Sequence, residues 1–393
     1  MFRKKFKNAA KVIAKTSIIS KKFSATRFLN RKLAPELVDD VLEQIFWILT
    51  DPSEDDGAPG LQAYTNLFRC MLVNKSWCAS AVSMLHKHPW RLHRLYTLRT
   101  TDLAYDRCQL VKLYLTMLDH DERKPLLDKG IELPEPNDDP MFNYPAFVKY
   151  LDYGVMVSSV WTIYSTSCYT YDQNEWVSLV VRALLRLFAS HSGRLQWLRC
   201  APMSFSFDEM YYSVLSDPEF SNLLSPVAYL IIEANLGGDK KLFRLLSDTF
   251  QNVKHLEITD LPRARNWQGD SSAWFTTDFG TVIESQASLE SLVLKECAGY
   301  LCSIINTIPN QAKTLRMLKF IDCDFRGCGP WKGIEQCTKL ERIEFVRCIN
   351  ITSLMVMPLN KAQHPFLRKV VAYNDRDQPI ICSELMNWAC RYP

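Results

Sequence analysis

Thirteen cysteines and seven histidines are the side chains here best suited to covalent or metal chemistry. A thiolate nucleophile needs a base or cation beside it, and a zinc site needs paired ligands at short spacing. Neither pattern occurs. There is no Cys-x-x-Cys, the cysteine number is odd, and no histidine pair accompanies a cysteine. "HKHPWRLH" gathers His86, His88 and His93, yet Pro89 breaks their spacing and no cysteine or acid lies close by in sequence. The run Glu54, Asp55, Asp56 lacks the alternating ligands of a calcium loop and reads as a solvated loop. No Gly-rich phosphate loop, G-x-S-x-G elbow or H-E-x-x-H helix is present. The sequence therefore calls for no catalytic residue, no metal and no cofactor. The cysteines read as free thiols of a reducing compartment that behave as small buried hydrophobes. An enzyme with dispersed catalytic residues stays open as a minor alternative.

At 393 residues, 47% of them apolar and 23% charged, the chain can bury cores for two or three domains or for one elongated repeat array. No apolar run reaches the ~18 uncharged residues of a membrane span. The best candidate, "WVSLVVRALLRLF", is interrupted by Arg182 and Arg186, so a soluble protein is expected. Residues 1–32 hold eleven Lys or Arg and no acid, which leaves the remainder at net −7 and gives no case for a nucleic-acid-binding body. No secretory signal is expected, since an apolar h-region is missing and lysines run throughout the first 22 residues. The tail reads as a disordered arm, with a nuclear localisation signal or an organelle transit peptide as alternatives. A cytoplasmic or nuclear location follows, with organelle targeting left open.

"LAPELVDDVLEQIFWIL", residues 33–49, carries Pro35 and Glu36 in a first turn and apolar residues at helical spacing thereafter. "TDPSEDDGAPG" is a loop by composition, and a second helix fits about 61–86, before Pro89. "IELPEPNDDPMFNYPAF" reads as a connector or rigid extended segment. "DQNEWVSLVVRALLRLFASHSG" pairs Asp172 with Glu175 as a capping signature and closes a long helix at Gly193.

From about residue 195 a pattern apolar-x-x-apolar-x-apolar recurs. It is strongest as Leu289, Leu292, Leu294, Cys297; Leu315, Leu318, Phe320, Cys323; and Leu340, Ile343, Phe345, Cys348. Weaker copies are Val227, Leu230, Ile232, Asn235 and Val253, Leu256, Ile258. Leu195, Leu198, Cys200 and Leu367, Val370, Ala372 mark the ends. The copies start 32, 26, 36, 26, 25 and 27 residues apart, close to the leucine-rich-repeat period of about 20–29. Such a unit is a short parallel strand with alternate side chains buried, and its open apolar face requires a stacked neighbour. The cysteines at the strand exits then pack turns and are not nucleophiles.

Leu33-Ala34-Pro35-Glu36-Leu37 resembles the Leu-Pro-x-Glu-Leu start of an F-box, and "LFRCMLVNKSWCASAVSMLHKHPW" resembles its second half. Here Ala34 stands where the motif has proline, and Leu85-His86 where it has Leu-Trp. "PMFNYPAFVKYL" is similar to a segment found in a large, expanded group of fungal F-box proteins with degenerate leucine-rich repeats. The resemblance implies an α/β chain: a basic tail (1–32), a three-helix F-box (33–90), a helical connector or cap (91–194) and a leucine-rich-repeat-like solenoid (195–393).

It further implies a non-catalytic substrate receptor of an SCF-type ubiquitin ligase. Its F-box docks on a Skp-type adaptor, and through it on a cullin and RING scaffold. Its repeats bind a protein substrate that the sequence does not name. By that resemblance adaptor contacts would be Pro35, Leu37, Leu42, Ile45, Leu72, Val73 and Trp77; docking of this segment is supported independently by its having too many apolar residues for three short helices to bury. Substrate contacts would lie between the buried strand positions: Tyr229, His255, Glu257, Ser291, Lys295, Met317, Lys319, Arg342 and Glu344. The alternative is a non-ligase interaction scaffold whose F-box-like helices only pack the start of the solenoid. The bland alternative for the strand positions themselves is that they are simply solvated.

Overall fold

Alternation of buried and outward side chains, with period two, turns each of the seven spaced copies into one strand. These are β2 (Trp197–Cys200), β3 (Tyr229–Ala234), β4 (His255–Asp260), β5 (Ser291–Lys295), β6 (Met317–Ile321), β7 (Arg342–Val346) and β8 (Lys369–Tyr373). The computed structural model describes residues 41–42, 44–46, 60–90, 102–164, 171–201, 213–234, 240–260, 276–297, 301–361, 364–373 and 388. These residues fall into two compact units. One runs to residue 150 apart from 128–131, and the other comprises 128–131 and 151 onward. The basic tail and the segment holding Pro35 and Leu37 lie outside the described residues.

The first unit contains α1 (Gly60–Met71), α2 (Lys75–Lys87), α3 (Asp102–Leu115), α4 (His120–Asp128) and a short turn of helix, α5 (Tyr144–Phe147). The single helix expected over 61–86 is two helices. Asn74 breaks it, taking an extended backbone (φ −166°, ψ 177°) while its side chain accepts a hydrogen bond from the Trp77 N–H at 2.9 Å. The proline-rich connector is held by Arg123, a buried side chain that donates to the carbonyls of Leu115 (2.9 Å) and Pro134 (2.6 Å).

The second unit carries an eight-stranded sheet in sequential order, and the pairings from β2 to β8 are parallel. It begins upstream of the first repeat copy, at β1 (Tyr150–Asp152), a strand the apolar pattern does not announce. Helices α6 (Tyr153–Tyr164) and α7 (Tyr171–His191) follow it. Between the later strands lie α8 (Ser221–Leu224), α9 (Lys240–Thr249), α10 (Thr276–Glu284), α11 (Leu301–Thr307), α12 (Lys332–Glu335) and α13 (Ser353–Lys361). This mixed α/β arrangement is compatible with a solenoid of stacked units. Helix α7 closes at Gly193 (φ 67°), whose N–H bonds the Phe188 carbonyl at 3.3 Å. Glu175, expected in a capping box, instead pairs with Lys129 at 2.7 Å.

Two in-register rows face the core. One runs Leu198, Leu230, Leu256, Leu292, Leu318, Ile343; the other Cys200, Ile232, Ile258, Leu294, Phe320, Phe345. At β8 the matching Val370 and Ala372 are only half-buried, because no described strand lies beyond. Three strand exits repeat one device. Glu296, Asp322 and Arg347 adopt left-handed backbone (φ 55°, 53° and 54°), and the buried cysteine that follows each turns its sulfur toward strand-end carbonyls. Cys323 Sγ lies 3.4 Å from both the Leu294 and the Ile321 oxygens. Hydrogen bonding to Cys297 and burial outweigh the opposing hydrogen bond with Cys348 and keep the Cys323 thiol far above its ordinary pKa. Such thiols fill a corner and do not attack.

A second ladder had no sequence signal. Buried Gln286 accepts from the Val253 N–H (3.0 Å) and donates to the Phe250 carbonyl (2.7 Å), one unit back. Gln311 does the same with the Leu289 N–H (3.4 Å) and the Ile283 and Gln286 carbonyls (2.8 and 2.9 Å). These amides satisfy backbone groups that stacking removes from water, which is why polar residues are kept in an apolar interior.

Candidate protein-interaction surfaces

In the first unit Leu42, Ile45, Phe46, Leu67 and Ala81 form a core, with Trp77 and Leu85 packed against it. Leu42 and Ile45, expected as docking residues, are 4% and 6% exposed. This corrects the expectation, because they are needed to hold the helices together. Trp77 divides its surface. It is half-buried, with its ring edge-on to Phe46 at 5.6 Å.

Leu72 (77% exposed), Val73 (57%) and Phe68 (61%), the last not singled out from the sequence, are left to solvent at the α1–α2 break; among the described residues of this unit Leu127 (51%) and Met141 (81%) are exposed elsewhere. The signal for Phe68 was its position one helical turn before Leu72. Asn74 explains the placement, since capping α2 stops α1 early and leaves Leu72 and Val73 in a turn without a helical face to bury them.

His86, further along α2, is packed among Tyr114 and Tyr144, and its Nδ1 lies 3.0 Å from the Tyr114 hydroxyl. Burial keeps the Tyr114 phenol protonated, and which of the two groups donates depends on the His86 tautomer. Burial also lowers the His86 pKa to about 4. Between that value and 6.5 the unfolded chain binds the extra proton, so stability is complete above pH 6.5 and falls as pH drops toward 4. The loss attributable to this group is on the order of 3 kcal/mol at most. Urea denaturation at pH 7 and pH 5 should show the difference, and His86→Gln should flatten it.

In the second unit the solvent-side positions of the strands form three rows. The first is aromatic at its start. Trp197 stacks on Tyr229 (6.4 Å between ring centres), and Tyr229 stacks on His255 (5.2 Å). Ser291, Met317, Arg342 and Lys369 continue it. The second row is Arg199, Ile231, Glu257, Val293, Lys319 and Glu344; the third includes Glu233, Thr259, Lys295 and Val346.

The nine expected substrate contacts all lie on this side of the sheet, but not all are open to solvent. Glu257, Ser291 and Glu344 are 8%, 4% and 4% exposed, covered by longer neighbours on adjacent strands. Glu257 is paired with Lys295 (2.6 Å), and Glu344 with Lys319 (3.0 Å) and Arg342. Burial alone would push the Glu344 carboxyl up, but the hydrogen bonds from Lys319 and Arg342 outweigh it and hold it low. Tyr229, His255, Lys295, Met317, Lys319 and Arg342 keep partial exposure. They offer stacking surface at one end and cations at the other.

Among the described residues no group of three His, Cys, Asp or Glu side chains could hold a metal ion, and no helix is long and apolar enough to cross a membrane. The first surface presents exposed aliphatic and aromatic side chains, and the second a broad row of rings and paired charges. No protein-family model matches the chain, and no curated protein matches it significantly.

Proposed function

We propose that this protein is a substrate-recognition subunit of an SCF-type ubiquitin ligase, docking on a Skp-type adaptor with its first unit and binding its target with leucine-rich-repeat-like strands. The observation that carries the reading is the cluster Phe68, Leu72 and Val73, exposed at the α1–α2 break inside the segment that resembles an F-box. Leaving three large apolar side chains in water within six residues is unfavourable for an isolated unit and suits a surface completed by another chain. The ligase reading requires no covalent chemistry of this chain. It raises the effective concentration of target lysines near activated ubiquitin.

The burial of Leu42 and Ile45 favours a second reading, a non-ligase interaction scaffold in which these helices only complete the fold.

Binding to a purified Skp-type adaptor separates the two. The wild-type chain should bind at micromolar concentration or better. Leu72→Asp combined with Val73→Asp should weaken binding by about 30-fold or more, as expected for desolvated anchor residues. Both residues are exposed, so the double variant should keep the wild-type melting temperature. Trp77→Ala should lose adaptor binding and stability together because of its Phe46 contact. Absence of wild-type binding at micromolar concentration would overturn the ligase reading.

A further inference from the structure

Three of the described cysteines form the buried ladder, but two others sit differently. Cys302, in the first turn of α11, and Cys328, between β6 and α12, are both half-buried free thiols. Their placement is reciprocal. Cys302 Sγ accepts a hydrogen bond from the Gly329 N–H (3.4 Å) and lies 3.8 Å from the Gly327 carbonyl, the backbone groups on either side of Cys328. Gly327 takes left-handed backbone (φ 79°) and Gly329 has open space around it, so the loop can bring Cys328 against α11.

We propose that Cys302 and Cys328 are a redox-modifiable thiol pair that closes to a disulfide between the connections following β5 and β6, with a low-molecular-weight disulfide as oxidant. This inference is independent of the ligase reading.

The geometry assigns different roles to the two sulfurs. Burial pushes the Cys328 thiol up to about 12, which makes it the poorer nucleophile. Cys302 Sγ, set between the Gly329 N–H and the Gly327 carbonyl, is therefore the attacking group. The Cys302 thiolate attacks one sulfur of the small disulfide. That S–S bond breaks, a mixed disulfide forms, and the departing thiolate takes a proton from water. Cys328 gives up its proton and attacks the Cys302 sulfur, and the second small thiolate leaves with that proton. Two protein thiols have been oxidised and one small disulfide reduced to two thiols.

The test treats the full chain with glutathione disulfide, quenches in acid, blocks remaining thiols with N-ethylmaleimide and maps peptides by mass. The expected product is a peptide pair joined through Cys302 and Cys328, about 2 Da lighter than the two thiols and separated again by dithiothreitol. In Cys328→Ser the reaction should stop at a glutathione adduct on Cys302. In Cys302→Ser the adduct on Cys328 should form about tenfold more slowly than the adduct on Cys302 does in Cys328→Ser, because burial still holds the Cys328 thiol up. Recovery of Cys302 and Cys328 as separately alkylated peptides from the oxidised wild-type chain would overturn the pairing, and that readout depends on no variant folding. Equal adduct rates in the two variants would overturn the assignment of Cys302 as attacker.

Discussion

Arg199→Ala should destabilise the chain by about 3–5 kcal/mol, the cost of stranding buried charge. Arg199 is 8% exposed and lies between Asp152 (2.7 Å) and Glu233, carboxylates that are 1% and 9% exposed. Burial by itself would lower the arginine's pKa, but the two carboxylates override it and hold the guanidinium firmly charged. Removing the guanidinium leaves two carboxylates facing each other in a poorly solvated site. Their pKa values must then rise in the folded state, so protonation favours folding. The deficit should be largest at pH 7 and shrink on acidification toward pH 5. Urea unfolding of wild type and variant at the two pH values reads this directly. A deficit below about 1 kcal/mol at pH 7 would mean that water has replaced the guanidinium. Arg199→Met with Asp152→Asn and Glu233→Gln should recover much of the loss, because no unpaired ion remains. The triad matters to the fold because it fastens the three-residue strand β1 to β2 and β3.

Phe345→Ala should cost about as much, roughly 3–5 kcal/mol, through lost transfer energy and a residual cavity. Its ring lies stacked between Phe320 (5.3 Å, 8°) and Trp331 (5.1 Å, 8°), with Phe325 tilted against it at 6.1 Å. All four rings have no solvent exposure, so the site has little freedom to collapse onto a missing neighbour. Phe345→Leu should cost well under half as much, since most of the volume is kept. Thermal or urea unfolding gives both values. An alanine variant within 1 kcal/mol of wild type, a threshold of about fivefold in the folding equilibrium, would show that the β6–β7 end is not packed as described.

How much of this was legible beforehand follows from how local each cause is. Leu292, Leu294 and Cys297, with their counterparts in the next two copies, announce a strand and its exit because burial with period two and a tight turn constrain neighbouring residues. Helix closure at Gly193 was readable for the same reason. The break at Asn74 was not. A cap residue inside a continuous apolar pattern looks like an ordinary helix position until tertiary contacts choose two helices over one. Strand β1 was missed because three residues carry no period, and its partner charge Arg199 lies 47 residues away. Gln286 and Gln311 look like surface amides in sequence, and only stacking shows that they satisfy a neighbour's backbone.

The two candidate surfaces divide the same way. Leu72 and Val73 were expected outside and are exposed, whereas Leu42 and Ile45 were expected outside and are buried. All four are apolar residues at helical spacing, and spacing alone does not say which face a second helix covers.

By itself the sequence determined that seven spaced copies would each form a short strand and which side of each faces the core. Those are matters of alternation and turn chemistry. Only the tertiary structure decided which charges on the outer side are already neutralised, as Glu257 is by Lys295, and which apolar side chains remain in water, as Phe68, Leu72 and Val73 do. Both depend on what lies across a packed interface, which the order of residues along one strand or helix does not contain.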